Sequence, residues 1–191
     1  MRIAVIGTGR IGGTLGSRWH AAGHDVVYGS RTGSGAGPGG ARVLPVADAL
    51  ADAEVVLLAV PGGAIRDVIS ANGAALAGQV VIDAVNRIGE PDVSSRADVE
   101  AAAPTARYVR AFSTLGWENF ADPAAGGADL FFAAGPAARD VAEELIRAVG
   151  LGPEFVGGPD AASTVDGVLP LWFSLVQQHG GNRTLAFRVV R

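Results

Sequence analysis

Three glycines, Gly7, Gly9 and Gly12, stand in the stretch MRIAVIGTGRIGGTLG, directly after an apolar β-branched run and at the start of a helical pattern. Strand, then G-x-G-x-x-G, then helix is the order of parts that gives this spacing chemical meaning. Gly7 permits a tight turn, Gly9 lets the backbone come close to a pyrophosphate, and Gly12 lets the helix pack on the strand. Free N–H groups around Thr8, Arg10 and Ile11 then face an anion at the positive end of the helix dipole. Dinucleotide binding is the chemistry indicated. Gly13 and Gly16 extend the small face, which reads as close packing.

The second strand says which dinucleotide. An NAD site carries Asp or Glu roughly 20 residues beyond the glycines, accepting hydrogen bonds from the ribose hydroxyls. Here that strand end reads Tyr28, Gly29, Ser30, Arg31, Thr32, with no acid. A carboxylate would repel a 2′-phosphate, whereas two hydroxyls and a guanidinium bind it through charge-assisted hydrogen bonds. The expected cofactor is therefore NADP(H). Asp25, the nearest acid, starts the strand, at the end away from the ligand.

These residues need a scaffold, and the chain is long enough for one. Its 191 residues, 49% hydrophobic and 18% charged, suit one main domain. Apolar β-branched runs alternate with helical patterns, the signature of a doubly wound, mostly parallel Rossmann-type α/β sheet. Strands are expected near 3–6, 26–28, 42–44, 55–60, 80–83, 108–112, 130–133 and 154–156. Ile11, Leu15 and Trp19 line one face of the first helix, which Gly23 ends; Val141, Leu145 and Val149 do the same before Gly150.

The expected organisation is an NADP-binding domain over 1–150 and a helical extension over 151–191, which completes an acceptor pocket and a dimer interface. Within that extension, 161–179 is apolar on nearly every side, so it must be buried. Packing against a second copy would bury it, with Pro170 kinking or splitting it. The stretch GSGAGPGG, 33–40, is expected to be a mobile surface loop, either a tolerated insertion or a cover over bound cofactor.

Composition excludes other classes. A net charge of −4 argues against a nucleic-acid binder. No apolar run or leader pattern points to a membrane or to export, so a cytoplasmic protein is expected. With no cysteine and three scattered histidines, no metal site is expected. Every basic side chain is arginine, which together with 28 glycines suggests a GC-rich bacterial genome.

The segments IGTGRIGGTLGSRWHAAGHDVVYGSR, VVLLAVP, VRAFSTLGWENF and GVLPLWFSLVQQHGGNRTLAFRVV resemble the NADP oxidoreductases that use the deazaflavin coenzyme F420. The family sits in a superfamily that includes the cytosolic NADPH domains of membrane ferric reductases. The resemblance covers nearly the whole chain. It implies hydride transfer between NADP(H) and F420, with Ala59, Val60 and Pro61 as the floor beneath the nicotinamide. It also places Ser113, Thr114 and Trp117 beside the nicotinamide, in the deazaflavin pocket; Ser113 stands where family members often have His or Asn.

Trp117 is either a stacking surface for a flat ring or a core aromatic. Asn86 either hydrogen-bonds the carboxamide or substrate, or forms a turn. Arg183 and Arg188 either bind the acceptor's phosphate and glutamate tail or are solvated. His179 fits a helix C-terminus; Trp172 carries no sharper indication. In such chemistry the cofactors carry the hydride and the protein positions them, so no catalytic triad is needed.

There is no lysine, no Tyr-x-x-x-Lys pair and no pair of carboxylates in an evident cleft. That argues against carbonyl reduction by the usual protonating side chains. Two alternatives stand beside the leading one: an NADPH-dependent reductase of a small organic substrate (imine, flavin or quinone-like), and a non-enzymatic NADP(H) sensor.

Overall fold

The computed structural model describes residues 1–123 and 127–191. One eight-stranded sheet runs through the molecule: β1 (Arg2–Ile6), β2 (Asp25–Ser30), β3 (Arg42–Pro45), β4 (Val55–Leu58), β5 (Val80–Asp83), β6 (Arg107–Arg110), β7 (Asp129–Ala134) and β8 (Gly152–Gly157). Their order is β3-β2-β1-β4-β5-β6-β7-β8. All neighbours are parallel except β6 and β7. The chain winds outward from β1 one way and then the other, the doubly wound Rossmann-type arrangement.

Both faces are covered, which is why the central strands are apolar at every position rather than alternately. Ile3, Val5, Val55 and Leu57 face one core together with Leu15 and Trp19 of α1 (Arg10–Ala21). Ala4, Ile6, Val56 and Leu58 face the other. That second layer includes Ala49 and Leu50 of α2 (Val46–Leu50), Ile65, Ile69 and Leu76 of α3 (Ile65–Leu76), and Val99 of α4 (Arg96–Ala102). The first layer is completed by Phe120 of α5 (Glu118–Ala121) and by Leu145 and Ile146 of α6 (Pro136–Ala148).

Two strands are shorter than the sequence suggests. β4 ends at Leu58 and β6 at Arg110, because the chain turns off the sheet edge there; Phe112, with φ of 60°, is in the left-handed region. The sheet also outruns residue 150 by one strand, β8.

The extension carries two helices, α7 (Ala162–Asp166) and α8 (Val168–Gln178), not one. Pro170 sits in the first turn of α8, where a missing N–H costs nothing. The break falls at Gly167, the adjustment that proline forces on the turn before it. Leu169, Trp172 and Val176 are buried, but Leu171 and Phe173 remain 53% and 40% exposed. Within one protomer, α8 is thus buried on one face only. Among the described residues no helix is long and apolar enough to cross a membrane, and no His, Cys, Asp or Glu cluster could hold a metal ion.

Candidate functional site

Gly29, Ile6, Leu58, Asp83 and Arg110 stand in one register row at the carboxyl ends of five adjacent strands. The segments that leave this row form the site, as expected for ligands of open α/β sheets.

Gly7 turns the chain with φ of 116°, and a Cβ there would collide with the Ala59 carbonyl oxygen. Gly12 presses so closely on the Gly7 carbonyl that no side chain fits. Around Gly9, by contrast, a Cβ would meet nothing within 4 Å. Gly9 is the N-cap of α1, with no side-chain cap and no acid in the first turn. The first intrahelical bond is Gly13 N–H to the Gly9 carbonyl at 2.7 Å, so the N–H groups of Arg10, Ile11 and Gly12 remain for a ligand. Gly13 and Gly16 do pack closely, Gly13 against Pro38 and Gly16 against Tyr28, whose hydroxyl donates to the Gly13 carbonyl at 3.3 Å.

In front of Gly9 lies a cleft of about 690 Å³. It gathers Gly7, Thr8 and Gly9 with Ser30, Arg31 and Thr32 on one side and Ala59, Val60 and Pro61 on the other. Ser30 Oγ and Thr32 Oγ1 are 3.1 Å apart, and the Gly33 N–H donates to Ser30 Oγ at 3.1 Å. Arg31 is exposed and makes no hydrogen bond or ion pair among the described residues. A fixed fork of donors beside two hydroxyls, with no carboxylate lining the cleft, suits a phosphate. Val46, Gly63, Ala64 and Val68 complete the lining; nothing in their sequence marked them, because only the fold brings α2 and α3 to this edge.

None of residues 33–40 lines the cleft. Instead of a free loop, Pro38 lies against Gly13, and Gly37 N–H donates to the Ala41 carbonyl at 2.8 Å. The glycines there let the chain fold down onto α1 and Tyr28.

Asn86 lies next to the cleft through Gly62, whose Cβ would meet the Asn86 carbonyl at 2.9 Å. Its side chain is already committed: Nδ2 donates to the Ser113 carbonyl at 2.8 Å, and Oδ1 accepts from Arg110 at 2.6 Å. Ser113 and Thr114 are buried with hydroxyls that have no partner among the described residues. Phe112, held edge-on between Trp19 and Phe120, aims the chain into this segment.

Trp117 is partly buried on the core, with the Arg10 guanidinium 5.5 Å from its ring centre. The glycine turn and the Ser113–Trp117 segment therefore meet at this pair. Arg183 is engaged by Glu118 at 3.0 Å and lies over Trp172. His179 is the C-cap of α8.

The sequence reading missed a buried polar network behind Asn86. Arg110, fully buried, donates to the carbonyls of Asp83 and Val85 at 3.1 and 2.6 Å, and through Nε to Asp166 at 2.7 Å. Asp83, also fully buried, accepts from the N–H groups of Val85 and Ser95 and from the Tyr108 hydroxyl. Two carboxylates do share one guanidinium here, although they lie 83 residues apart in the chain. Burial pushes the Asp166 carboxyl above the usual range, Arg110 pulls it down, and Asp83 adds to the rise. An arginine ending a buried strand was the available signal, since a buried charge demands partners.

The whole chain superposes on a candidate F420-dependent NADP-reductase from Arthrobacter sp. FB24, with 24% identity, both chains fully covered and a TM-score of 0.84. A hypothetical protein from Sinorhizobium meliloti is 28% identical over all of this chain and 96% of its own, with a TM-score of 0.73. The reductive aminase from Aspergillus terreus, in complex with NADPH and ethyl levulinate, is 20% identical over 94% of this chain and 62% of its own (TM-score 0.72). Residues 2–87, which carry the glycine turn, the Ser30–Thr32 wall and the Ala59–Pro61 floor, match the family described as NADP oxidoreductase, coenzyme F420-dependent. The likeness to the coenzyme F420-dependent NADP oxidoreductases thus lies in the part of the chain that builds the cleft.

Proposed function

We propose that the protein transfers a hydride between NADP(H) and the deazaflavin coenzyme F420. The observation that carries this reading is the cleft itself: an uncapped helix N-terminus opens onto a wall of Ser30, Arg31 and Thr32 that contains no acid. Free N–H groups of α1 hold the pyrophosphate, and the space at Gly9 admits it. Arg31 and the two hydroxyls hold the 2′-phosphate. Ala59, Val60 and Pro61 keep water from beneath the nicotinamide, which when bound supplies the hydride. Asn86, Ser113, Thr114 and Trp117 bound the acceptor side, and their work is to position, not to exchange protons.

The exposed apolar side chains of α8, Leu171 and Phe173, support a homodimer through the extension. As a consumer or producer of NADP(H), the protein is proposed to act in the cytoplasm. A second reading, reduction of a small imine-like acceptor, draws support from the likeness in fold to the NADPH-bound reductive aminase.

Anaerobic mixing of the NADPH-loaded protein with oxidised F420 tests the leading reading. Saturable bleaching of the deazaflavin band with NADPH, and not with NADH, is expected. Tight NADPH binding without bleaching would transfer the reading to the small-acceptor class.

A further inference from the structure

Arg110 does more than neutralise a buried acid. It ends β6, one strand from the Asp83 that ends β5, and its guanidinium reaches three separate parts of the chain. Nη1 binds the carbonyls of Asp83 and Val85, which begin the segment leading to Asn86. Nη2 lies 2.6 Å from Asn86 Oδ1. Nε, with Nη2, takes Oδ1 of Asp166, at the end of α7 in the extension. Asn86 in turn grips the Ser113 carbonyl, and its own carbonyl packs on Gly62 between cleft residues Pro61 and Gly63.

We propose that Arg110 is a positioning residue through which Asp166 of the extension sets the nicotinamide end of the cleft, by way of Asn86 and the backbone of Ser113. The inference rests on the reading of the cleft as an NADP(H) site, and not on the identity of the acceptor. A guanidinium suits the task because it is planar, always charged and forked, so fixing one edge fixes the direction of the other. Such a buried ion is a poor source of stability, since desolvation offsets its attraction. Its geometric effect is what remains. The adenine half of the cleft, at Ser30–Thr32, lies three strands from β5, where the relay begins.

That separation makes the relay testable with two probes, NADPH and 2′,5′-ADP, the second lacking the nicotinamide. Asp166→Asn keeps an oxygen facing the guanidinium and removes the charge; Arg110→Lys keeps the charge and removes the fork. Each is expected to raise the NADPH dissociation constant roughly 3- to 10-fold and to lower the emission anisotropy of the bound dihydronicotinamide. Binding of 2′,5′-ADP should stay within about twofold of the unaltered protein, which also shows that the variant is folded.

Asn86→Ala should produce the same loss, and combining it with Asp166→Asn should add nothing, since both cut one chain of contacts. A merely structural role would weaken both probes together or give additive losses, and either result would overturn the relay. So would unchanged NADPH binding in Asp166→Asn. Failure of the unaltered protein to bind either probe would overturn the NADP(H) reading itself, and the relay with it.

Discussion

The hydroxyl of Tyr108 donates to Oδ2 of Asp83 at 2.9 Å, both side chains lying inside the protein directly beneath the site. Burial first, and then the Asp83 charge, push this phenol well above its ordinary value of 10.0. Tyr28, the other tyrosine, is also raised, chiefly by burial.

The sign of the pH dependence follows. Above about pH 10 an unfolded chain loses these phenolic protons before the folded one does, so ionisation favours unfolding. Stability is full below the unfolded pKa and is lost as pH rises through the folded value. Phenolate absorbance in the native protein should lag that of the denatured chain. Tyr108→Phe should abolish part of the alkaline loss, at a cost near neutrality of about 1–3 kcal/mol from the weakened support of Asp83. Denaturant melts at neutral and alkaline pH measure both terms, and an unchanged alkaline slope would contradict the account.

Gly7 and Gly9 should fail differently. Gly7→Ala forces a side chain into left-handed backbone against the Ala59 carbonyl. It should destabilise the fold by about 1–3 kcal/mol. Gly9→Ala meets open space in extended backbone, with φ of −71°. Its stability should change by no more than about 0.5 kcal/mol, while NADPH affinity falls at least tenfold. Paired thermal melts and NADPH titrations separate the two effects. Equal behaviour of the two variants would show that Gly9 does not border a phosphate.

The extension offers a test of assembly. Leu171→Glu with Phe173→Glu places two charges on the exposed apolar side chains of α8 and leaves the buried Leu169 and Val176 unchanged. Sedimentation should show a dimer for the unaltered protein and a monomer for the double variant. A monomeric unaltered protein would remove the proposed interface.

Much of this was legible because the relevant signals are local. The glycine turn, the missing acid after Gly29 and the period of Ile11, Leu15 and Trp19 each depend on neighbours within a few residues. α3 was not read, and the glycine inside it is explained by the close approach of Gly73 to Ala102 of α4, which only the fold brings about. The relay of Asp83, Arg110 and Asp166 was hidden for a different reason. Its members come from three elements, and each, seen singly, is an ordinary charged residue. Nor could the sequence show that Asn86 is held at both ends of its amide, since that depends on the register of β5 and β6. The extension was read as apolar on nearly every side, and composition alone could not tell that Leu169, Trp172 and Val176 are buried while Leu171 and Phe173 are left exposed.

Arg31 is where the central claim is most exposed to test, since it stands beside Ser30 and Thr32 with no partner among the described residues. The direct measurement is calorimetric titration of NADPH and NADH into the unaltered protein and into Arg31→Ala. NADPH should bind the unaltered protein much more tightly than NADH. Arg31→Ala should weaken NADPH by about 10- to 100-fold, the worth of a charge-assisted phosphate contact, and leave NADH nearly unchanged. Equal affinities for the two nucleotides, or equal losses in the variant, would contradict the assignment of this cleft to NADP(H).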